Sequence, residues 1–325
     1  MASAAPRYVG IDLGGTKTLA IVADAEGCIL SRATVPTPAS GPAESVVGAM
    51  ASAASQALTA ASLALGGVAG IGIASAGAVD SVRGTVVHSP QISSMADTPI
   101  VALLRGHIDL PMVIDNDANL AALGEQRYGA GKGERNLVFI TISTGIGGGI
   151  IIDGGLYRGA NGAGGEIGHM SVDAHGPYGR STTRGAWESI CSGTALARIA
   201  RERMAAGEAS SLGAVASRAG SVSAEDIFAA ARDGDALAVS MVADAIEYLG
   251  AGLTSLVNIF DPGMVIVGGG LSNEWEAYIG PAVERMRQES FAGIGARTPV
   301  VPPKLGVEAG ALGAVAYAHD MLRAG

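Results

Sequence analysis

The stretch Pro111-Met112-Val113-Ile114-Asp115-Asn116-Asp117-Ala118-Asn119-Leu120-Ala121-Ala122-Leu123-Gly124-Glu125 sets an apolar run against an acidic, amide-bearing junction and then a helical pattern. The run predicts a buried strand over 112–115, and the junction predicts a helix over 118–128 capped by Asn116 or Asp117. Asp117 then lies at a strand exit, where open α/β sheets carry their ligands. Two further turns follow apolar runs in the same way: Asp12-Leu13-Gly14-Gly15-Thr16-Lys17 and Thr144-Gly145-Ile146-Gly147-Gly148-Gly149. Adjacent glycines let backbone N–H groups surround phosphate oxygens, while Thr16 adds a hydroxyl and Lys17 a charge. The first turn is not a Walker loop, because that motif's spacing and following helix are absent. One carboxylate and two anion cradles suggest phosphoryl transfer.

Outward from these motifs, residues 8–12, 19–23 and 28–35 read as strands of an antiparallel meander, followed by a helix over 43–65 and a buried strand over 68–74. A short helix is expected over 98–108. Strands over 136–143 and 149–153 open a second set, followed by a glycine-rich stretch over 154–168. Helices are expected over 189–206, 223–232 and 236–260, the last stopped by Asp261-Pro262-Gly263. A strand over 264–267, the turn Gly268-Gly269-Gly270, a helix over 273–290, a strand over 298–304 and a helix over 309–322 complete the chain. No short repeat is visible, but both halves open with a strand and a Gly/Thr turn, a faint duplication.

With 325 residues the chain exceeds what one core usually holds, so two lobes are expected. The apolar share of 48% against 16% charged marks a globular chain, and 49 glycines imply tight turns and close backbone approaches. A net charge of −9 argues against a nucleic-acid surface and for a small ligand. Cys28 and Cys191 are too few for a disulfide framework or thiolate metal site and suit a reducing compartment. Neither a secretory signal nor an apolar run of roughly 18 residues is evident, so a soluble, cytoplasmic protein without a membrane partner is expected.

Each candidate also has a plainer reading. Gly14-Gly15 suits a hairpin, Gly268 to Gly270 a strand-to-helix turn, and Asp117 a helix cap. Asn116 offers a donor and an acceptor for a sugar hydroxyl. Glu166 and His169, three apart, and Glu188 after Trp187 would ordinarily be paired or solvated polar residues.

Taken together these pieces resemble the ROK family of sugar kinases and sugar-responsive repressors, over nearly the whole chain. Residues 12–17 resemble its first phosphate motif, 116–119 its catalytic segment, 144–149 its second phosphate motif, and Gly165-Glu166-Ile167-Gly168-His169 with the Glu188 segment its sugar-binding elements. The resemblance implies an α/β, two-lobed actin/hexokinase-like (ribonuclease H-like) ATPase fold with the active site in the interdomain cleft. It implies a small domain over 1–117 with the helix 306–325 packing back on it, and a larger domain over 118–305. It also implies an ATP- and Mg²⁺-dependent kinase acting on the 6-hydroxyl of a hexose, glucose foremost, working as a homodimer or higher homo-oligomer. Asp117 would be the general base, Asp12 would help hold Mg²⁺ through water, and Gly14, Gly15, Thr16, Lys17, Thr144, Gly145, Gly193 and Gly269 would bind the nucleotide. Gly77, Asn116, Asp117, Glu166, His169 and Glu188 would surround the sugar.

Two departures stand out. Many family members hold zinc with the histidine of the Gly-His element and three cysteines, whereas this chain has Gly179, Ser181 and Ala186 at those cysteine positions. No zinc is expected, since a tetrahedral site needs four ligands and only His169 remains. Arg180 and Arg184 flank the changed positions and are expected to stay solvated. The family's repressors carry a DNA-binding module ahead of the first phosphate motif, here at Asp12, so no nucleic-acid partner is expected. The alternatives are an amino or N-acetylamino hexose as substrate (N-acetylmannosamine, N-acetylglucosamine or kanosamine), polyphosphate in place of ATP, and a non-catalytic sugar sensor.

Overall fold

The computed structural model describes residues 5–179 and 182–323. The chain forms two compact units, Met1–Arg135 with Gly149–Gly164 and Pro303–Gly325, and Asn136–Gly148 with Gly165–Pro302.

The first unit opens with the expected meander, β1 (Arg7–Leu13), β2 (Lys17–Asp24) and β3 (Ile29–Pro36), each antiparallel to the next. Helix α1 (Ala43–Ala60) buries Val46, Val47, Met50, Ala53, Ala54 and Ala57, a stripe at helical spacing. It ends short of residue 65 because Ser62 takes a left-handed φ of 55°. Strand β4 (Ile71–Ser75), a hairpin of β5 (Ala78–Asp80) and β6 (Thr85–His88), helix α2 (Ile100–Arg105), strand β7 (Met112–Asn116) and helix α3 (Asp117–Tyr128) follow. Strand β4 pairs in parallel with β1 and β7, giving the order β3-β2-β1-β4-β7.

The pleat of β1 divides its side chains between two layers. Val9, Ile11 and Leu13 join Val46, Val47 and Met50 of α1 in one core. Tyr8, on the opposite face, joins Ala311, Leu312, Val315 and Ala318 of the C-terminal helix in another.

Strand β8 (Leu137–Ile142) leads into β9 (Ile146–Ile152), which pairs antiparallel with β10 (Gly155–Leu156). The second unit continues with helices α4 (Trp187–Cys191), α5 (Gly193–Ala205), α6 (Leu212–Ala219), α7 (Ala224–Arg232) and α8 (Ala236–Phe260). The helix expected over 189–206 is two helices, broken at Ser192, whose backbone is extended and whose hydroxyl caps α5 by accepting from the N–H of Ala195 at 3.2 Å. Ser223 and Asp226 form a capping box at α7, and α6 was not anticipated. Helix α8 is long and apolar enough to cross a membrane by length and hydropathy, but half of the qualifying window is buried and it packs against α7 and α4 as a core helix does.

Strand β11 (Met264–Gly268) pairs in parallel with β8 and with β12 (Val300–Val301). Helices α9 (Gly280–Glu289) and α10 (Ile294–Arg297) lie between the last two strands; the expected start of α9 near 273 is taken by a 3₁₀ turn and a π turn over residues 270–279. The strand expected over 298–304 shrinks to two residues before Pro302 and Pro303. The sheet order β10-β9-β8-β11-β12 repeats that of the first sheet, which gives the faint sequence duplication a structural counterpart.

The chain ends in α11 (Ala309–Arg323), which packs on β1, β4 and α3 within the first unit. Glycines permit the close approach. A Cβ on Gly10 would fall 2.1 Å from the Ala311 carbonyl, one on Gly72 1.9 Å from that of Ala314, and one on Gly313 1.6 Å from that of Leu120. These glycines serve backbone proximity rather than turns.

Candidate active site

In the first unit, Leu13, Ser75 and Asn116 share one row across the neighbouring strands β1, β4 and β7. Asp12, Gly77, Asn116 and Asp117 therefore gather at the C-terminal ends of these strands. Asn116 is the N-cap of α3: its side-chain oxygen accepts from the N–H groups of Ala118 (2.9 Å) and Asn119 (3.1 Å), and its amide donates to the Gly77 carbonyl at 3.0 Å. Asp117 is the first residue of the helix and accepts from the N–H of Ala118 at 2.9 Å. Of the two caps the sequence allowed, Asn116 holds the position.

Asp12 is crowded rather than solvated. Burial, and then the charge of Asp117, push its carboxyl up to about 7, with Lys17 pulling the other way. The side chain lies on the first turn of α11, where a Cβ on Gly310 would fall 2.7 Å from its carboxylate. The Gly14-Gly15 turn closes with the Gly14 N–H donating to the Lys17 carbonyl at 3.1 Å. Gln91 lies against it, since a Cβ on Gly15 would fall 2.7 Å from that of Gln91. Gly77 has φ 100° and lies against the His88 carbonyl, so its lack of a side chain is required twice over.

In the second unit the turn is Ser143-Thr144-Gly145, closed by the Ser143 N–H donating to the Gly145 carbonyl at 2.8 Å. Gly148 belongs to β9 and packs against Ile167. Only the first part of the glycine run is therefore a turn. The break at Ser192 lets the Gly193 N–H donate to the Ser143 carbonyl at 2.8 Å, and Gly269, at φ 88°, lies against the Ile142 carbonyl. Thr144, Gly145, Gly193 and Gly269 thus surround one turn.

The same turn receives Glu188, whose carboxylate accepts from the Ile146 N–H at 3.0 Å. Trp187, fully buried, anchors this acid by lying on Gly252 of α8 and donating its indole N–H to the Tyr248 carbonyl at 3.1 Å. Gly168 lies against the Ile146 carbonyl, which brings the Glu166 and His169 segment beside the turn, and the His169 ring stands 3.7 Å from the Glu166 carboxylate.

In the loop with the changed cysteine positions, Gly179 and Ala186 carry no group that can ligate a metal. A Cβ on Gly179 would fall 2.2 Å from the Ser189 hydroxyl, and Ala186 is fully buried. Among the described residues no group of three or more His, Cys, Asp or Glu is arranged to hold a metal. Ser181 and Arg180 lie outside the described residues. Protein bonds order the rest: Val172 N–H to the Gly185 carbonyl (2.9 Å), Gly185 N–H to that of Pro177 (2.8 Å), Arg184 Nε to that of Gly176 (3.1 Å), and Tyr248 hydroxyl to the Asp173 carboxylate (3.2 Å).

Comparison with known proteins places this geometry in a family. The ROK family signature matches residues 8–321. The chain belongs to the ROK family. This ROK protein is 37% identical over 317 residues to a glucokinase of Streptomyces coelicolor, covering 96% of this chain and 97% of that one. It superposes on the ROK hexokinase of Thermus thermophilus with a TM-score of 0.83 at 36% identity, covering 98% of this chain and 100% of that one. A Streptomyces griseus ROK glucokinase solved with glucose and AMPPNP gives 0.77 at 36% identity with the same coverage. The α/β, two-lobed actin-like ATPase fold follows from that membership. Given no role by the sequence were Gln91 and Arg158, and Asp115 was read only as the end of a strand; the contacts Gln91 with Gly15 and Arg158 with Asp115 are distant in the chain and carry no local motif.

Proposed function

We propose that this ROK protein is an ATP-dependent glucokinase that phosphorylates the 6-hydroxyl of glucose, with Asp117 as general base. The observation that carries the assignment is the placement of Asp117 at the exit of β7, fixed by the Asn116 cap and at the same end of the parallel strands as Asp12. A carboxylate so held can take the hydroxyl proton as the oxygen attacks, and phosphoryl transfer asks little else of covalent chemistry beyond alignment and charge stabilisation. Asn116, Gly77, Glu166, His169 and Glu188 supply the donors and acceptors for the sugar's hydroxyls. The Gly14-Gly15-Thr16-Lys17 and Thr144-Gly145 turns, with Gly193 and Gly269, supply backbone N–H groups and unobstructed backbone for the nucleotide.

The donor set suits Mg²⁺. Burial, and then the charge of Asp117, raise Asp12, and a hard cation that keeps most of its waters needs few carboxylates. Asp12 would hold it, and when bound it would neutralise charge on the phosphate oxygens. Family membership supports a homodimer or higher homo-oligomer, and Cys28 and Cys191, both free, suit a cytoplasmic protein.

ADP release measured over glucose, mannose, N-acetylmannosamine, N-acetylglucosamine and kanosamine tests the substrate. Glucose should have the highest kcat/KM; turnover of an amino hexose alone would move the assignment to that sugar, and sugar binding without turnover would make the protein a sensor. Asp117→Asn should lower kcat by roughly 10²- to 10⁴-fold, the range of a general base.

A further inference from the structure

Arg158 follows β10 and carries no role in the site described above. Its Nε donates to the Asp115 carboxylate at 2.5 Å, and its guanidinium lies 4.8 Å from the centre of the Tyr317 ring. The Asp115 side chain is 6% exposed and that of Arg158 28%, so the pair is largely removed from water. Asp115 turns its other oxygen to the active-site segment, accepting from the Asn116 N–H at 2.7 Å and from the Asn119 amide at 3.0 Å. Asn116 in turn caps α3 and reaches Gly77. A continuous set of contacts thus runs from Tyr317 and Arg158 through Asp115 and Asn116 to the first turn of α3, where Asp117 sits.

The same arginine also fixes a loop. Its carbonyl accepts from the Gly164 N–H at 2.8 Å, closing residues 158–164 into a ring, and Gly162 of that ring approaches the Val79 carbonyl of β5. Tyr317, which the guanidinium covers, belongs to α11, so the arginine also touches the helix that packs on β4. One residue therefore meets the Asp115 carboxylate and the Tyr317 ring through its side chain and closes the 158–164 loop, which reaches β5, through its backbone.

From this arrangement we infer that Arg158 is a positioning residue for phosphoryl transfer. Paired with Asp115, it fixes the orientation of Asn116 and Asp117. A bidentate-capable, always-charged side chain is required because a buried carboxylate left with two neutral donors would seek a partner by turning away from Asn116 and Asn119. The inference rests on the glucokinase assignment and deepens it.

The test compares Arg158→Gln, Arg158→Lys, Asp115→Asn and the double variant Asp115→Asn/Arg158→Gln, with kcat and both KM values measured per folded protein, the folded fraction being taken from circular dichroism. Arg158→Gln should lose about 10- to 100-fold in kcat while KM for ATP stays within about 3-fold, a split that simple loss of folded protein does not produce. Arg158→Lys should retain intermediate activity. The double variant should recover at least roughly 10-fold over Arg158→Gln, because removing both charges leaves no uncompensated carboxylate and the amide oxygen introduced at position 115 still accepts from the Asn116 N–H. Arg158→Gln with wild-type kcat, or a loss explained wholly by unfolding that the double variant does not reverse, would overturn the inference. Absence of glucose turnover in the wild-type protein would instead sink the glucokinase assignment, so the two failures are distinct.

Discussion

The carboxylate of Glu188 accepts a hydrogen bond from the Ile146 N–H at 3.0 Å, and a Cβ on the preceding Gly145 would fall 2.4 Å from the same oxygen. An acid assigned to the sugar and a turn assigned to the phosphates are thereby in direct contact, although 42 residues separate them in sequence. Whatever displaces one displaces the other.

Gly145→Ala should therefore act as a site variant rather than a stability variant. The new methyl group meets a side-chain oxygen that can swing aside, so the melting temperature should change little while kcat/KM for glucose falls at least roughly 10-fold. Steady-state kinetics with a thermal melt separates the two, and Glu188→Gln, which keeps an acceptor for Ile146, should retain the turn while raising KM for glucose.

Glycine substitutions elsewhere divide by what surrounds them. Gly313→Ala places a methyl group 1.6 Å from the Leu120 carbonyl and should lower stability by several kcal/mol or prevent folding. Gly48→Ala, inside α1 with nothing within 4 Å, should raise it by about 0.5 to 1 kcal/mol. Urea melts of both report the contrast.

Asp12 gives the metal-free protein a pH dependence of definite sign. Its folded-state carboxyl titrates near 7 against an ordinary value of 3.8, through burial and then the charge of Asp117. Below about pH 4 both states hold the proton; between there and 7 the unfolded chain releases it first, so stability falls as pH rises. Asp12→Asn should then melt a few degrees above the wild type at about pH 8 in the absence of Mg²⁺, with the gap closing toward about pH 4, while activity is lost.

Asp235 works in the opposite sense. Burial pushes its carboxyl up, but hydrogen bonds from the N–H groups of Ala238 and Ser211 and the hydroxyls of Ser211 and Ser210 outweigh it and bring it to about 2. Its stabilisation is present above the ordinary carboxylate pKa and disappears as pH falls through about 2. Asp235→Ala removes the cap of α8 and should cost about 1 to 2 kcal/mol at about pH 7, with a smaller difference near pH 2, in denaturant melts.

Much of the fold was legible because its signals are local. The meander at the N-terminus, a cap at the Asn116-Asp117 junction and the full extent of α8 follow from apolar period, capping chemistry and the Asp261-Pro262-Gly263 stop, though only the structure chooses Asn116 over Asp117. The β5–β6 hairpin escaped notice because its strands are short and partly exposed, and α6 because Gly213, Ser217 and a largely small-residue composition mask its period. The break at Ser192 was invisible for another reason: it serves the Gly193–Ser143 hydrogen bond, a partner 50 residues away. In the site, residue types at strand exits and in turns were readable, whereas the bonds that aim them, Asp115 with Arg158 and Glu188 with Ile146, are long-range and leave no trace in local pattern.

The seating of α11 on β1, β4 and α3 has a consequence for biosynthesis. On a ribosome β1 and β4 emerge before α11, yet Gly10 and Gly72 face carbonyls of Ala311 and Ala314, 301 and 242 residues later in the chain. Until α11 has been made, one layer of that sheet lacks its cover and would offer Tyr8 and Ile21 to chaperones or to neighbouring nascent chains. A truncation just before Ala309 would leave that exposure permanent, so the residues of α11 decide whether the first unit completes its core.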